Sequence, residues 1–594
     1  MGTFIKLLLA VCTLLLTANF IPIVNTYRSP WTPSDYSMAG SRRARAVNRP
    51  APINCQLQAW SSWTSCDSCT DQKGRFRRME KPSQFGGTEC VESLWEKLAC
   101  PSAATECLVT DYCGERFTCK ETGRCISQSL RCNGESDCND FSDEDGCEVV
   151  NRRGDKCSTL LPIPSAERGT QGYNVLTGDF VDRVLDSNYF GGKCEYVYNG
   201  EWRKFIYEAV CENLRYNEDE KNYRKPHNYH TYQFVAEATS EGSQDYFTDA
   251  VSLLNARKTM SSANGGVTLG IYKVEVGLSG SSESEFFNNV TQYNSQELGF
   301  VRLFSKVQTA HFKMRSNKLM LDEEFYVSLM ELPEQYHFGT YSRFFNTFGT
   351  HYVTEGTMGG TLEYVVVLNK TAMAESNTEA EQAGVCLGAS IGLSQNLSTN
   401  VNVDLKVKGN VCRKERTNDS DSAEIVDIVS LVKGGVTHSS AGLLAIRNPD
   451  TYRSWGASLR YNPTLIEYET MPIYELVRLS TAADHVGARL ANLERGWDEY
   501  QRQFDSCRCA PCRHNGIPVL TGTSCRCVCK PGFQGKACEE TLRKDAPTDG
   551  SWSCWGAWSS CSSGKKTRTR TCDNPAPDGG GTTCLGSSSQ AQRC

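Results

Sequence analysis

Residues 341–360 read YSRFFNTFGTHYVTEGTMGG. Its single histidine, His351, is the residue that invites a chemical reading. The nearest other histidine, His337, is too far along the chain for a helical metal pair. A packing or hydrogen-bonding role is therefore expected. Gly359-Gly360, and Gly434-Gly435 further on, fit bends in a sheet, because a residue without Cβ reaches backbone angles closed to others.

Working outward, residues 150–505 mix two periodicities. Apolar residues recur at helical spacing in Tyr246–Met260 (Phe247, Val251, Leu254), in Asp322–Leu332, and in Ser422–Val432 (Ile425, Ile428, Val429, Val432). They alternate at period two in Val267–Leu278 (with a slip at Tyr272), Tyr364–Leu368 and Leu387–Val411. The mixture predicts an α+β domain rather than alternating βαβ units. The longest alternating run lies within VCLGASIGLSQNLSTNVNVDLKVKGNVC, residues 385–412. Fully extended it would span roughly 80 Å, whereas disulfide-linked Cα atoms lie about 5.5 Å apart. A Cys386–Cys412 bond would therefore fold it back near residues 396–400 into two limbs of about ten residues, each of membrane-crossing length.

Two other constellations yield to bland readings. Gly388-Ala-Ser390-Ile-Gly392 matches G-x-S-x-G, but a nucleophile elbow needs a sharp strand-to-helix turn. Here the alternation runs straight through, so no enzyme is expected. His227 and His230 lack a third ligand nearby, which favours a loop or hydrogen-bonding role over zinc.

The chain has 594 residues, a net charge of −6 and 30 cysteines, with only five of these between Asp155 and Asp505. No cationic field suggests nucleic acid. Cysteine-dense ends around a cysteine-poor middle predict small disulfide-stapled modules flanking a larger domain. Five central cysteines leave one unpaired or bonded to another chain, with Cys211 the choice. Lys6 followed by the apolar run Leu7–Leu16 reads as a signal peptide over residues 1–24. Residues 25–45, ending in Arg42-Arg43-Ala44-Arg45, read as a propeptide. No run is long enough for a membrane helix, so membrane entry would need strands or partners.

Residues 54–108 carry WSSWTSC followed by Arg75, Arg77 and Arg78. Residues 549–594 carry WSCWGAWSSC and KKTRTRTC. Tryptophans three apart facing alternating arginines can interleave as a cation–π ladder in a module too small for a core. Both segments resemble thrombospondin type 1 repeats, which implies C-mannosylation at Trp60, Trp63, Trp552 and Trp555.

Residues 112–148, CGERFTCKETGRCISQSLRCNGESDCNDFSDEDGC at their centre, resemble an LDL-receptor class A repeat. Carboxylates crowded together need a hard cation, and calcium takes six or more oxygens. The resemblance implies ligation by the side chains of Asn133, Asp137, Asp143 and Glu144 and the carbonyls of Leu130 and Glu135. Asn133 stands where the family usually has Asp, which predicts weaker affinity. The implied disulfides are Cys113–Cys125, Cys119–Cys138 and Cys132–Cys147.

Residues 507–540 resemble an EGF module without calcium-binding acidic residues. Its implied pairs are Cys509–Cys525, Cys512–Cys527 and Cys529–Cys538. That leaves Cys507 to pair with Cys554 of the last repeat.

Within 150–505, Tyr341, Phe348-Gly349-Thr350-His351-Tyr352 and Gly359-Gly360 resemble the signature of the membrane attack complex/perforin family. The resemblance implies a bent antiparallel sheet flanked by two helical clusters, here near 245–313 and 372–433, that unwind into amphipathic pore-lining hairpins. The whole is thus expected to be a multidomain chain: a central α+β perforin-like domain between small disulfide-rich modules. The module order resembles the terminal complement components. The strings CAPCRHNGIPVLTG, KDAPTDG and KKTRTRTCDNPAP turn the resemblance towards the beta chains of the eighth component.

That resemblance implies a plasma protein that joins a target membrane on assembly. Its implied partners are the complex of components five to seven, the alpha chain of the eighth component, the ninth component and the lipid bilayer. The alternatives are the alpha chain or the ninth component, or a secreted adhesion protein whose perforin-like domain never inserts. Of the four sequons, at Asn289, Asn369, Asn396 and Asn418, those at Asn289 and Asn396 fall in hairpin segments. Carrying a glycan through hydrocarbon would strip its hydroxyls of water, so these two are expected to be largely unmodified.

Overall fold

The computed structural model describes residues 49–66, 71–101, 113–150, 157, 159–176, 178–198, 204–206, 213–215, 222–234, 237–247, 253, 265–266, 286, 289–290, 293, 298–371, 425–436, 449–529, 533–541, 548–584 and 586–593. The expected signal peptide and propeptide, Cys211, Asn396, Asn418, Ser390 and the Cys386–Cys412 segment lie outside these residues, as does the alternating run Val267–Leu278.

One mixed sheet dominates. Its strands are β1 (Gln171–Asn174), β2 (Asp179–Arg183), β3 (Lys204–Ile206), β4 (Asn213–Arg215), β5 (Tyr229–Phe234), β6 (Glu237–Phe247), β7 (Gly265–Gly266), β8 (Leu298–Met314), β9 (His351–Asn369), β10 (Ile425–Lys433) and β11 (Thr464–Pro472). They run in the order β4-β3-β6-β8-β9-β11-β7, with β5 also on β8, β10 and β1 also on β9, and β2 on β1. The helices are α1 (Glu323–Met330), α2 (Phe338–Phe348), α3 (Pro449–Ser458), α4 (Ile473–Leu479) and α5 (Arg489–Phe504). This is the expected α+β domain.

Helix α1 forms where Asp322–Leu332 shows helical spacing, and the Asp322 carboxylate caps it by accepting from the Glu324 amide at 3.1 Å. Of segment Ser422–Val432, expected as a helix, the described residues from Ile425 onward form strand β10 instead. Val429 and Leu431 face one core while β10 pairs along β9. Val426, Ile428 and Val432 are apolar on the opposite face, and apolar residues on both faces of a strand mimic a helical repeat. Tyr246 and Phe247, expected to open a helix, end strand β6 for a related reason: Phe247 is needed opposite Phe300 of β8.

Two cores form. The larger joins α1, α2, α4 and α5 to the half of the sheet that β9 shares with β11, with Phe325, Tyr341, Phe345, Val353, Leu476 and Trp497 buried in it. The smaller covers the other half and holds Leu253, Phe286 and Val290 against Phe300, Val365, Val367, Val429 and Leu431.

Candidate functional site: the bent strand and the modules bolted to it

Strand β9 changes neighbours at Gly359-Gly360, pairing with β11 from His351 to Gly359 and with β10 from Thr361 onward. The glycines are demanded by contact. A Cβ on Gly359 would meet the Val307 carbonyl oxygen at 1.9 Å, and one on Gly360 would meet Leu459 and Trp455 within 3 Å. Gly434 and Gly435 follow β10 with φ of +76° and +74°, the left-handed region glycine tolerates. Trp455 of α3, 1 % exposed, fills the notch and donates its indole N–H to the Gly434 carbonyl at 2.9 Å. No signal in the sequence singled out Trp455.

The signature residues bolt α2 to the start of β9. Gly349 turns with φ of +80°, its Cα close against the Tyr173 backbone of β1. The Thr350 amide donates to the Tyr173 carbonyl, and the Ile473 amide at the start of α4 donates to the Thr350 carbonyl. The Thr350 hydroxyl receives the Val175 amide at 3.1 Å. His351 is fully buried, with Nδ1 2.9 Å from the Thr350 hydroxyl and its ring edge-on to Trp497. Burial pulls its pKa down to about 3, so it is a neutral packing group. Tyr341 donates to the Pro333 carbonyl at 2.8 Å, and the Tyr352 hydroxyl lies against the Met471 sulfur.

At the far end of the sheet the geometry bears on conversion. Phe247 pairs with Phe300, Leu298 with Asn369, and Leu368 with Ile425. The ends of β6 and β10 and of the two strands between them therefore lie side by side. Segment 248–297 leaves from β6 and returns to its neighbour β8. Segment 370–424 leaves from β9 and returns to its neighbour β10. Both joined pairs are antiparallel.

From the first segment, Leu253, Phe286, Val290 and Tyr293 pack over the seam, Tyr293 donating to the Asp427 carboxylate at 2.5 Å, while Gly265–Gly266 pair with β11. On the same face Arg302, 4 % exposed, donates to Glu363 at 2.7 Å. Asn289 stands beside buried Val290, and Asn369 closes β9 by accepting from the Thr371 amide.

The carboxylate-rich module is held to the central domain by a buried cation. The Arg124 guanidinium reaches Asp186 at 2.5 Å and Glu323 at 2.8 Å, and donates to the Leu321 and Asp137 carbonyls. Arg224 grips Glu135 through two bonds. Cystines join 113 to 125, 119 to 138 and 132 to 147.

The implied calcium ligands lie together. Asp137 Oδ2 accepts from the Asn133 amide group at 2.8 Å, Asp143 Oδ2 accepts from the Asp137 N–H, and both Glu144 oxygens accept from the backbone of Asn133 and Gly134. Burial first, and then the neighbouring Asp143 and Glu135, push Asp137 up to about 6, against the lowering effect of its Asn133 bond. Among the described residues no three acidic, histidine or cysteine side chains already meet at one point. The donor set of three carboxylates, one amide oxygen and two carbonyls nevertheless has the hard-oxygen chemistry calcium takes.

The tryptophans interleave with cations as the spacing suggests. Arg75 lies 4.8 Å from Trp60 and 4.7 Å from Trp63, and Arg77 lies 4.4 Å from Trp60. In the second ladder Arg570 sits between Trp552 and Trp555, and Arg568 between Trp555 and Trp558. Arg78 leaves the ladder to pair with Glu499 and lie over Phe338. Cystines also join 507 to 554, 509 to 525, 512 to 527 and 529 to 538. His227 donates from Nε2 to the Lys318 carbonyl at 3.0 Å, a hydrogen-bonding role.

A family model described as "MAC/Perforin domain" matches residues 168–510, and the chain belongs to that family. Its relatives are terminal complement components. It is 44% identical to complement component C8 alpha chain of Oryctolagus cuniculus over 93% of this chain and 96% of the relative. It is 34% identical to complement component C8 beta chain of Mus musculus, over 94% and 92%. With complement component C6 of Bos taurus it shares 32% over 91% of this chain and 57% of the relative. A model described as "Low-density lipoprotein receptor domain class A" matches 111–147, and one for the EGF-like domain of complement components C8 alpha, C8 beta and C6 matches 512–540. The short strings that resemble beta chains thus point away from the higher whole-chain identity, which is with an alpha chain.

Proposed function

We propose that the chain is a non-enzymatic subunit of the complement membrane attack assembly, of the alpha type within the eighth component. The observation that carries the mechanism is the placement of segments 248–297 and 370–424. Each joins two antiparallel neighbours at the same end of the sheet. Extended, each would prolong an existing strand pair with the pairing of β6, β8, β9 and β10 intact, although the first would give up the two-residue contact of β7 with β11. Each is also long enough for two crossing limbs of about ten residues. Strands cross lipid only in a closed barrel, because no backbone group can be left unpaired there. Neighbouring subunits of the assembly would supply the remaining strands, with the membrane-bound complex of components five to seven as the platform and the ninth component added later. Among the described residues no helix is long and apolar enough to cross a membrane.

The alpha-type reading is supported by 44% against 34% identity, and it makes the beta chain this chain's counterpart. Secretion into plasma follows from the leader-like first residues and the disulfides. Calcium is proposed to fix the carboxylate-rich module, and the thrombospondin-like ladders to serve docking. Dye release from vesicles carrying components five to seven, with the beta chain and the ninth component added, tests the reading. Release that requires this chain supports it, and release indifferent to it overturns it. Chains of beta type in place of this one, restoring release only when an alpha chain is also supplied, distinguish the two subunit types.

A further inference from the structure

Between the first Trp/Arg module and helices α1 and α2 runs a cleft of about 570 Å³, independent of the membrane-attack reading. Its size falls among ligand pockets, and it is preformed. Phe76 of the module packs edge-on against Phe338 at 5.3 Å and tilts on Trp95 at 4.8 Å. The Ser61 hydroxyl lies 3.3 Å from His337, and the Arg78–Glu499 pair ties the module to α5. The floor is apolar, with Leu332, Phe344 and Phe348 all buried.

The charges in the cleft do not balance. Arg75 is taken by Glu96 and the two tryptophans, Lys73 lies over Trp63, and Arg489 is held by Glu334 and the Leu332 carbonyl. Lys97 of the module and Arg343 of α2 remain, and among the described residues neither side chain has a hydrogen-bonding or ion-pair partner. They feel each other: burial, and then Arg343, lower the Lys97 pKa, with Glu331 opposing. Two cations facing across an aromatic-walled cleft make an incomplete site, because a ligand carrying negative charge would relieve their repulsion and gain charge-assisted hydrogen bonds.

We propose that this cleft binds an amphiphilic anion, with an oxyanion head (carboxylate, sulfate or phosphate) between Lys97 and Arg343 and an aromatic or apolar body against Phe344 and Trp95. The head could belong to a free metabolite or to an acidic-aromatic side chain of a partner, and phenyl phosphate presents the shared chemistry. Titration calorimetry of the full chain should show phenyl phosphate binding once per chain, at least tenfold more tightly than inorganic phosphate or phenol. Lys97→Gln with Arg343→Gln should weaken it at least tenfold. Neither side chain is tied to the described residues by a hydrogen bond or ion pair, so an unchanged melting temperature should accompany that loss. No saturable binding, or equal binding by the double variant, overturns the proposal. If an O-phosphotyrosine or O-sulfotyrosine peptide binds more tightly than phenyl phosphate, the source is a partner chain; if it does not, the source is a free molecule.

Discussion

At the scale of single residues, the bend in β9 is held by absent side chains. Gly359→Ala puts a methyl group 1.9 Å from the Val307 carbonyl oxygen, so the strands must part. We expect a loss of at least about 2 kcal/mol, read as a lowered unfolding temperature of the central domain. His351 gives a pH test. Its folded pKa, about 3, lies below the ordinary value of 6.5. Between these values the unfolded chain binds the proton and the folded chain does not. Stability from this residue is therefore full above pH 6.5 and falls as pH drops towards 3, by up to about 1.4 kcal/mol per unit. His351→Gln should flatten that part of a stability-versus-pH profile, and an unchanged slope would contradict the assignment.

The glycines and the signature were legible because each residue is forced by its own backbone or a close neighbour. Trp455 was not, since it reaches the glycine notch from α3 and carries no local mark of doing so.

At the scale of elements, the carboxylate-rich module and the central domain share one buried cation. Arg124→Ala would leave Asp186 and Glu323 facing each other without it. Breaking such a buried pair typically costs about 3–5 kcal/mol, and limited proteolysis should release the module first. Chelation should act on the same joint, because the Asp137 carbonyl that receives Arg124 belongs to an implied calcium ligand. Calorimetry with and without EDTA should show the module's transition shift downward. Asn133→Asp, by adding a charged oxygen, should tighten calcium binding; no change in affinity would remove Asn133 from the ligand set.

Here the sequence was partly legible. The cysteine and carboxylate spacing marked the module, but Arg124 stood out in no way, since Asp186 and Leu321 come from far along the chain. Strand β10 reads as a helix because apolar residues stand on both its faces, with Val429 and Leu431 buried and Val426 45% exposed, and parity then loses its meaning.

At the scale of the whole molecule, α5 is the post on which both ends hang. Glu499 holds Arg78 of the first ladder module and receives the Tyr336 hydroxyl at 2.7 Å, while Glu494 reaches Lys566 of the last module at 3.5 Å. Burial raises the Asp498 pKa between them, and Arg568 and Lys566 oppose the shift. With the end modules fixed, the segments proposed to change form are those returning to the far end of the sheet. That inference came from the pairing register, which no sequence pattern displays. The amphipathic runs themselves were legible from parity.

Glycan mapping by peptide mass spectrometry should find Asn289 largely unmodified, and full occupancy there would argue against crossing by segment 248–297. The most direct test is a scan of residues 267–278 with a fluorescent amino acid, in full chains assembled on vesicles with their partners. The account predicts that quenching by lipid-borne nitroxides alternates along each half of the run, with Val267, Leu269 and Ile271 quenched before the slip at Tyr272 and Val274, Val276 and Leu278 after it. Lytic assemblies in which every one of these positions stays in water would contradict it.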